Sequence, residues 1–329
     1  MVFRVGVIGS GFAARELHLP ALSKIADVEL KAVFGIPYED ALYLAKLYNI
    51  PKATDDWRSI INDPSIDVVL VATPTYTHRE IAVEAVKAGK HVMLEKPIAL
   101  TIRDGEEVVK AYEAGKVKLM VAHCLRFWPE YVRARELIMG GRIGEPRVAR
   151  AYRLSSHPGR WFRFQNLSGG VAVDMSIHDL DYLRWVLGNV TRVYARGGVY
   201  SSTSVDSIDH FMALLEFENG AVAYVEGSWA MPRNYPFTTY LEVVGTKGLL
   251  TVDNQSTATV EAYLGGSTFR YGPFFKDAYY QEWVAFINWI DKGVKPPIEP
   301  QDAVEALRLA LAINKSIAEG RVVKPSEVT

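Results

Sequence analysis

The first third of the chain alternates short, uninterrupted apolar runs with segments of helical apolar spacing. Phe3–Ile8 (FRVGVI), Val28–Phe34, Asp67–Ala72 (DVVLVA), His91–Glu95 and Lys118–Ala122 read as strands. Between them, residues 13–25, Tyr38–Tyr48, Trp57–Ile61, Tyr76–Ala88 and Ile102–Ala114 read as helices. Pro20 predicts a break or kink in the first helix, Thr101 an N-cap and Gly89 a C-cap. Strands that are apolar without alternation are buried on both faces. With intervening helices and right-handed crossovers, that means a doubly wound parallel sheet.

The texture changes after Pro129. A helix is expected over Glu130–Met139, ended by Gly140-Gly141, then a strand over Val148–Ser155 and a helix running from the Ser168-Gly169-Gly170 loop through Leu187. Strands follow one another at Val193–Tyr200, Ile208–Phe217, Ala221–Trp229, Thr238–Val244, Gly248–Val252, Thr257–Leu264 and Thr268–Tyr271. Several alternate, as in HFMALLEFE, and Glu218-Asn219-Gly220 is a hairpin signal. A mostly antiparallel sheet with one face on helices fits this pattern. Helices at Asp277–Lys292 and Gln301–Glu319, separated by Pro296-Pro297, close the chain. The expected division is a dinucleotide-type α/β domain over residues 1–123 and an α+β domain over residues 124–329.

Composition changes this picture little. At 329 residues, with 49% hydrophobic and 23% charged residues, the chain has ordinary globular usage and room for two cores. A net charge of −1 carries no nucleic-acid or anionic-membrane footprint. The single cysteine, Cys124, excludes an intrachain disulfide framework and a Cys-rich zinc site. No apolar run approaches the ~20 residues of a membrane helix, and the N-terminus runs straight into a strand pattern. A cytoplasmic protein without a metal site is expected.

The turns after the parallel strands hold the candidate chemistry, since ligands of such sheets bind at the carboxyl ends of the strands. The first, Gly9-Ser10-Gly11-Phe12-Ala13-Ala14, sits between a strand and a helix and matches G-x-G-x-x-A. This is the dinucleotide signature of a Rossmann sheet in its proper context. Gly9 makes the turn, Gly11 lets backbone approach a pyrophosphate, Ala14 keeps helix close to sheet, and the helix N-terminus faces the phosphates. The other turns are 35–38, 73–78, 95–97 and 123–129. After the second strand, Gly35-Ile36-Pro37-Tyr38 holds no acid before Glu39 to bind a ribose 2′-hydroxyl, and no Arg or Lys to bind a 2′-phosphate. Absence of the acid favours NADP slightly and leaves NAD open.

In the second domain, Asp174, His178, Asp181 and Trp185 fall on one helical stripe, opposite Ile177, Leu180, Leu183 and Leu187. Two carboxylates and an imidazole on one face are either a solvated surface or a site, and the stripe alone does not decide between them.

Glu95-Lys96-Pro97 tips the balance. With GSGFAA near residue 10, TPTYTH at 73–78, RFWPEY at 126–131, SGGVAVDMSIHDLDYLRWVLG at 168–188, FENGAVAYVEGSW at 217–229 and EALRLALAIN at 305–314, the whole chain resembles the glucose–fructose oxidoreductase / inositol dehydrogenase / MocA family of NAD(P)-dependent sugar and polyol oxidoreductases. The resemblance implies a catalytic lysine at Lys96, an Asp and His four residues apart at Asp174 and His178, and a cis bond before Pro97. It also implies an open sheet used in a homodimer or homotetramer. Two departures stand out: the missing acid after Gly35, and Cys124 where family members often have Asn.

On this reading His178 is the proton acceptor, with an unperturbed pKa near ~6.5. Asp174 orients or stabilises it, and Lys96 donates to the substrate oxygen. Cofactor candidates are Gly9, Gly11, Phe12, Ala13, Ala14, Gly35, Thr73, Pro74, His78, Glu95, Lys96, Pro97 and Arg126; substrate candidates are Lys96, Trp161, Asp174, His178 and Asp181. Arg126 reaches the nicotinamide side or pins an interface. His157, Arg160, Tyr279 and Tyr280 are weaker candidates, and His18, His91, His123 and His210 are structural or cofactor-proximal. The competing readings are a family member acting on a non-carbohydrate and a non-catalytic NAD(P) sensor.

Overall fold

The computed structural model describes residues 1–274 and 276–329. The chain forms two units, Met1–Phe127 with Lys276–Val304 and Trp128–Phe275 with Glu305–Thr329.

The first unit is a six-stranded sheet of β1 (Phe3–Ile8), β2 (Val28–Phe34), β3 (Lys52–Thr54), β4 (Val68–Val71), β5 (His91–Glu95) and β6 (Leu119–Ala122), in the order β3-β2-β1-β4-β5-β6. Every pairing is parallel. Each residue of β4 and β6 is buried, as strands covered on both faces must be. Sequence runs out from β1 in both directions, so the switch point lies between β1 and β4, and the turns after β1, β2, β4 and β5 share one edge. The short edge strand β3, three half-buried residues, carries no apolar run and was not expected. The helix Ala278–Lys292 belongs to this unit: Trp283, Phe286 and Trp289 share one core with Val5, Val7 and Leu70.

The first helix, in which Pro20 predicts a break or kink, changes its winding instead. Ala13–His18 is wound as a π-helix and Leu19–Leu22 as an α-helix. Pro20 has no N–H to give to the preceding turn, and the helix accommodates it by widening instead of breaking.

The second unit is built on an eight-stranded sheet of β7 (Pro146–Ser156), β8 (Val190–Gly198), β9 (His210–Phe217), β10 (Val222–Met231), β11 (Thr238–Gly245), β12 (Gly248–Asp253), β13 (Val260–Leu264) and β14 (Ser267–Tyr271), in the order β14-β13-β12-β11-β7-β10-β9-β8. All pairs are antiparallel except β7 with β10. On β9, Phe211, Ala213, Leu215 and Phe217 are buried while Met212 and Leu214 are exposed, the period-two pattern of a sheet covered on one face. Pro129–Met139 packs on β12 and β13, Gly170–Asp174 on β9 and β10, and Ile177–Leu187 on β7.

The helix expected to follow the Ser168-Gly169-Gly170 loop is instead two pieces, Gly170–Asp174 and Ile177–Leu187, preceded by the short helix Gln165–Ser168. Gly169 is left-handed (φ 74°) and ends the first piece. Both Met175 and Ser176 donate their N–H to Val171 O, and this crowded turn separates the second piece from the third. The predicted apolar face survives, with Ile177, Leu180, Leu183 and Leu187 all buried. The predicted single stripe does not, because Asp174 ends one helix and His178 begins the next.

Candidate active site

The four turns along the first unit's carboxyl edge are tied to one another. Gly9 has φ 131°, and a Cβ there would lie 2.3 Å from Ala72 O, so the turn after β1 closes against the end of β4 only with glycine. A Cβ at Gly11 would meet nothing within 4 Å, leaving the start of the helix open to a bulky ligand. Ala14 is fully buried, Ala13 half-buried and Phe12 exposed. A close turn, an accessible backbone at Gly11 and a buried Ala14 are what a dinucleotide pyrophosphate requires, and the residues present fit one.

At the end of β2, a Cβ on Gly35 would come within 2.4 Å of Ser10 Oγ. The position where a ribose-binding acid is usual is thus filled by the Ser10 side chain. Ile36–Pro37 is cis and leads directly into the helix Tyr38–Tyr48. After β4, Thr73 Oγ1 bonds Thr77 Oγ1 at 2.7 Å, and Thr77 Oγ1 donates to Pro74 O. His78 joins this turn to the next: its Nε2 is 2.9 Å from Thr73 O and its Nδ1 2.8 Å from Pro97 O. Burial pushes this imidazole below its ordinary pKa against the pull of the two carbonyls.

The turn after β5 carries Lys96. Lys96–Pro97 is cis, as the resemblance implies. Glu95 is buried and uses both carboxylate oxygens: Oε2 accepts the Lys96 backbone N–H at 3.0 Å, and Oε1 lies 2.7 Å from His18 Nε2. Burial pushes Glu95 up, but the His18 hydrogen bond and the nearby Lys96 charge outweigh it and hold the carboxyl below its usual range. Arg126 is buried, its Nη1 donating to Pro297 O at 2.6 Å and to Asp302 Oδ2 at 3.2 Å, so this guanidinium face secures the C-terminal segment of the first unit.

In the second unit Asp174 and His178 are half-buried, on consecutive helices. Asp181 is 1% exposed, which rules out the solvated-surface reading for that end of the stripe. Trp185 packs, with the Arg135 guanidinium 4.1 Å above its ring. Trp161 lies in the short helix Arg160–Arg163, half-buried and stacked on Phe162 at 3.8 Å between centroids. His157 Nδ1 accepts Gly159 N–H, and burial lowers this imidazole's pKa. Asp179, passed over in the sequence, is fully buried in a two-pronged ion pair with Arg153 (2.8 and 2.9 Å).

The sequence reading also missed Glu282 and Trp283. Glu282 is 0% exposed, and neither carboxylate oxygen has a hydrogen-bond partner among the described residues. Burial first, and then the Glu95 charge, push its pKa well above the ordinary range, so it is held as a neutral acid. Helical spacing alone flags it, since Glu282 sits one turn from both Ala278 and Phe286 on the buried face. Its folded pKa exceeds the unfolded value. The folded chain therefore keeps a proton that the unfolded chain releases, and stability declines as pH rises above the ordinary carboxylate range, by up to about 1.4 kcal/mol per pH unit until Glu282 ionises. Glu282→Gln is expected to remove this decline. Thermal unfolding of variant and wild type should diverge progressively as pH rises above the ordinary carboxylate range; a constant offset between them would contradict the assignment.

Together these turns define a first unit fitted to a dinucleotide; Asp174 and His178 belong to the second unit. Residues 3–123 match the oxidoreductase family described by its NAD-binding Rossmann fold, and residues 131–251 match the GFO/IDH/MocA C-terminal domain. The chain belongs to the GFO/IDH/MocA family of NAD-binding oxidoreductases. It is similar to an uncharacterised oxidoreductase, YrbE, of Bacillus subtilis (31% identity, covering 97% of this chain and 95% of that one). It is equally similar to the myo-inositol 2-dehydrogenase of Thermotoga maritima (31%, 99% of each). Among solved structures, levoglucosan dehydrogenase in complex with NADH and L-sorbose superposes with a TM-score of 0.87 at 25% identity, covering 98% of this chain and 99% of that one. No described helix is long and apolar enough to cross a membrane, and no described cluster of His, Cys, Asp or Glu could hold a metal ion.

Proposed function

We propose that the protein transfers hydride between a nicotinamide cofactor and a secondary alcohol or carbonyl of a sugar or cyclitol. The observation that carries this reading is the Glu95-Lys96-Pro97 turn, held on the same sheet edge as the dinucleotide turn at Gly9–Ala14. The substrate class is supported by relatives named for myo-inositol and levoglucosan. The nicotinamide, when bound, accepts or gives the hydride. Gly9, Gly11 and Ala14 hold its pyrophosphate. In the oxidative direction Lys96 donates a hydrogen bond to the substrate oxygen, and His178, oriented by Asp174, takes the hydroxyl proton. Asp181 and Trp161 contribute to sugar recognition. The exposed face of the eight-stranded sheet, with Met212, Leu214 and Val222 outward, supports assembly into a homodimer or homotetramer.

Initial rates over a panel of cyclitols and aldoses, followed by reduced-nicotinamide absorbance with each cofactor, test this. Turnover on at least one polyol or aldose is expected, with NADP at least as good as NAD because no acid opposes a 2′-phosphate at Gly35. A large NAD preference overturns the cofactor assignment. Tight cofactor binding without turnover on any panel member overturns the enzyme reading in favour of a sensor.

A further inference from the structure

The back of the Lys96 turn rests on a buried chain of polar groups drawn from far apart in sequence. Trp283 Nε1 donates to His18 Nδ1 at 2.9 Å, His18 Nε2 lies 2.7 Å from Glu95 Oε1, and Glu95 Oε2 accepts the Lys96 N–H at 3.0 Å. Trp283 and His18 are 0% exposed. An indole nitrogen can only donate. His18 Nδ1 must therefore be the unprotonated ring nitrogen, and the proton sits on Nε2, aimed at Glu95. The Tyr279 ring packs edge-on to His18 at 5.3 Å, so the imidazole is also fixed in orientation. Nothing in the dinucleotide signature calls for a histidine here, and the helix bearing Trp283 comes from more than 260 residues downstream.

We propose that Trp283 and His18 are positioning residues for Lys96: Trp283 selects the His18 tautomer, His18 fixes the Glu95 carboxylate, and Glu95 holds the Lys96 backbone and sets the charge beside its side chain. The role assigned to Lys96 is that of the proposed function, on which this inference rests. The arrangement follows the logic by which a partner of a reacting group fixes its tautomer and orientation. The groups that face Glu95 are His18 from the first helix, Lys96 from its own turn, His78 from the helix His78–Lys87, and Tyr279 and Glu282 from the helix Ala278–Lys292. Of these two buried carboxyls, Glu282 has no hydrogen-bond partner among the described residues and is pushed toward its neutral form, while Glu95, with two donors, is held toward its charged form. Without the His18 donor, burial is less opposed and the Glu95 carboxyl rises toward neutrality.

Three variants separate this from a packing role. Trp283→Phe keeps an aromatic ring but removes the donor, His18→Leu removes the relay, and His18→Gln restores an N–H that can reach Glu95. In cofactor-free protein, nitrogen NMR of His18 is expected to show a single tautomer protonated at Nε2, lost in Trp283→Phe. The Glu95 carboxyl, followed by carbon NMR, is expected to titrate at higher pH in His18→Leu and to move back in His18→Gln. With substrate, kcat of His18→Leu is expected to fall about 10-fold or more and to acquire an acid limb nearer neutrality, with cofactor Kd within about twofold and partial recovery in His18→Gln. A wild-type Glu95 titration in His18→Leu, or a mixed tautomer in the wild type, overturns the proposal. Both NMR readings are made without turnover. If Lys96 variants retain full activity while these NMR changes occur, the catalytic reading fails and the relay stands.

Discussion

Lys96→Ala is expected to lower kcat by about 10²–10⁴ on the true substrate while leaving cofactor Kd within a few-fold. The two effects separate because they rest on different atoms. On the proposed reading cofactor binding draws chiefly on the closed turn at Gly9, the open backbone at Gly11 and the buried Ala14, which lie in the turn after β1 and not in that of Lys96. In the proposed reaction the ammonium acts on the substrate oxygen, whose negative charge grows as hydride leaves, so its loss would fall on the transition state more than on the ground state. His178→Ala is expected to fall in the same range by removing the proton acceptor. The two losses should combine less than additively if both groups serve one proton transfer. Steady-state rates with fluorescence titration of the cofactor measure both quantities. Near-normal turnover in either variant sinks the assignment of that residue, and a parallel loss of cofactor affinity in Lys96→Ala would make it a binding residue instead.

Much of the scaffold for this chemistry was legible because burial writes it into the sequence. Strands covered on both faces, such as Val68–Val71, have no polar positions to confuse with helix, and the turns that follow them carry Gly9 and Lys96. The second unit's strands were legible for the opposite reason. One face is wet, so Phe211, Ala213, Leu215 and Phe217 alternate with Met212, Leu214 and Glu216. What failed was the even helix expected from the Ser168-Gly169-Gly170 loop to Leu187. Periodicity counts residues as if the winding were constant, and the turn at Met175–Ser176, where two N–H groups share Val171 O, has no residue-type signature. Partnership between distant buried polar groups was equally hidden. The helical pattern of Ala278–Lys292 shows an apolar face but not which sheet it covers, so neither Trp283 against His18 nor Glu282 near Glu95 could be paired beforehand.

Asp179 shows how misleading exposure-blind reading of a carboxylate stripe can be. It lies between His178 and Asp181, off the Asp174–His178–Asp181 stripe, and is buried in a bidentate ion pair with Arg153. It stands in the first turn of the helix Ile177–Leu187, where a negative charge also favours the helix N-terminus. Asp179→Ala is expected to destabilise the fold by about 3–5 kcal/mol, because it removes the carboxylate paired at 2.8 and 2.9 Å with the Arg153 guanidinium, itself 2% exposed. Urea unfolding measures this as a lower midpoint at unchanged slope. The double variant Arg153→Met/Asp179→Leu is expected to recover most of the loss, since it replaces both charges of the buried pair by apolar groups. A loss under about 1 kcal/mol in Asp179→Ala would mean that water reaches the guanidinium and the pair behaves as a surface contact. The same pair ties β7 to the residue next to His178, so an Asp179→Ala chain that still folds should also lose turnover. The apolar double variant then distinguishes whether His178 needs the charge at its neighbour or only a helix held in place.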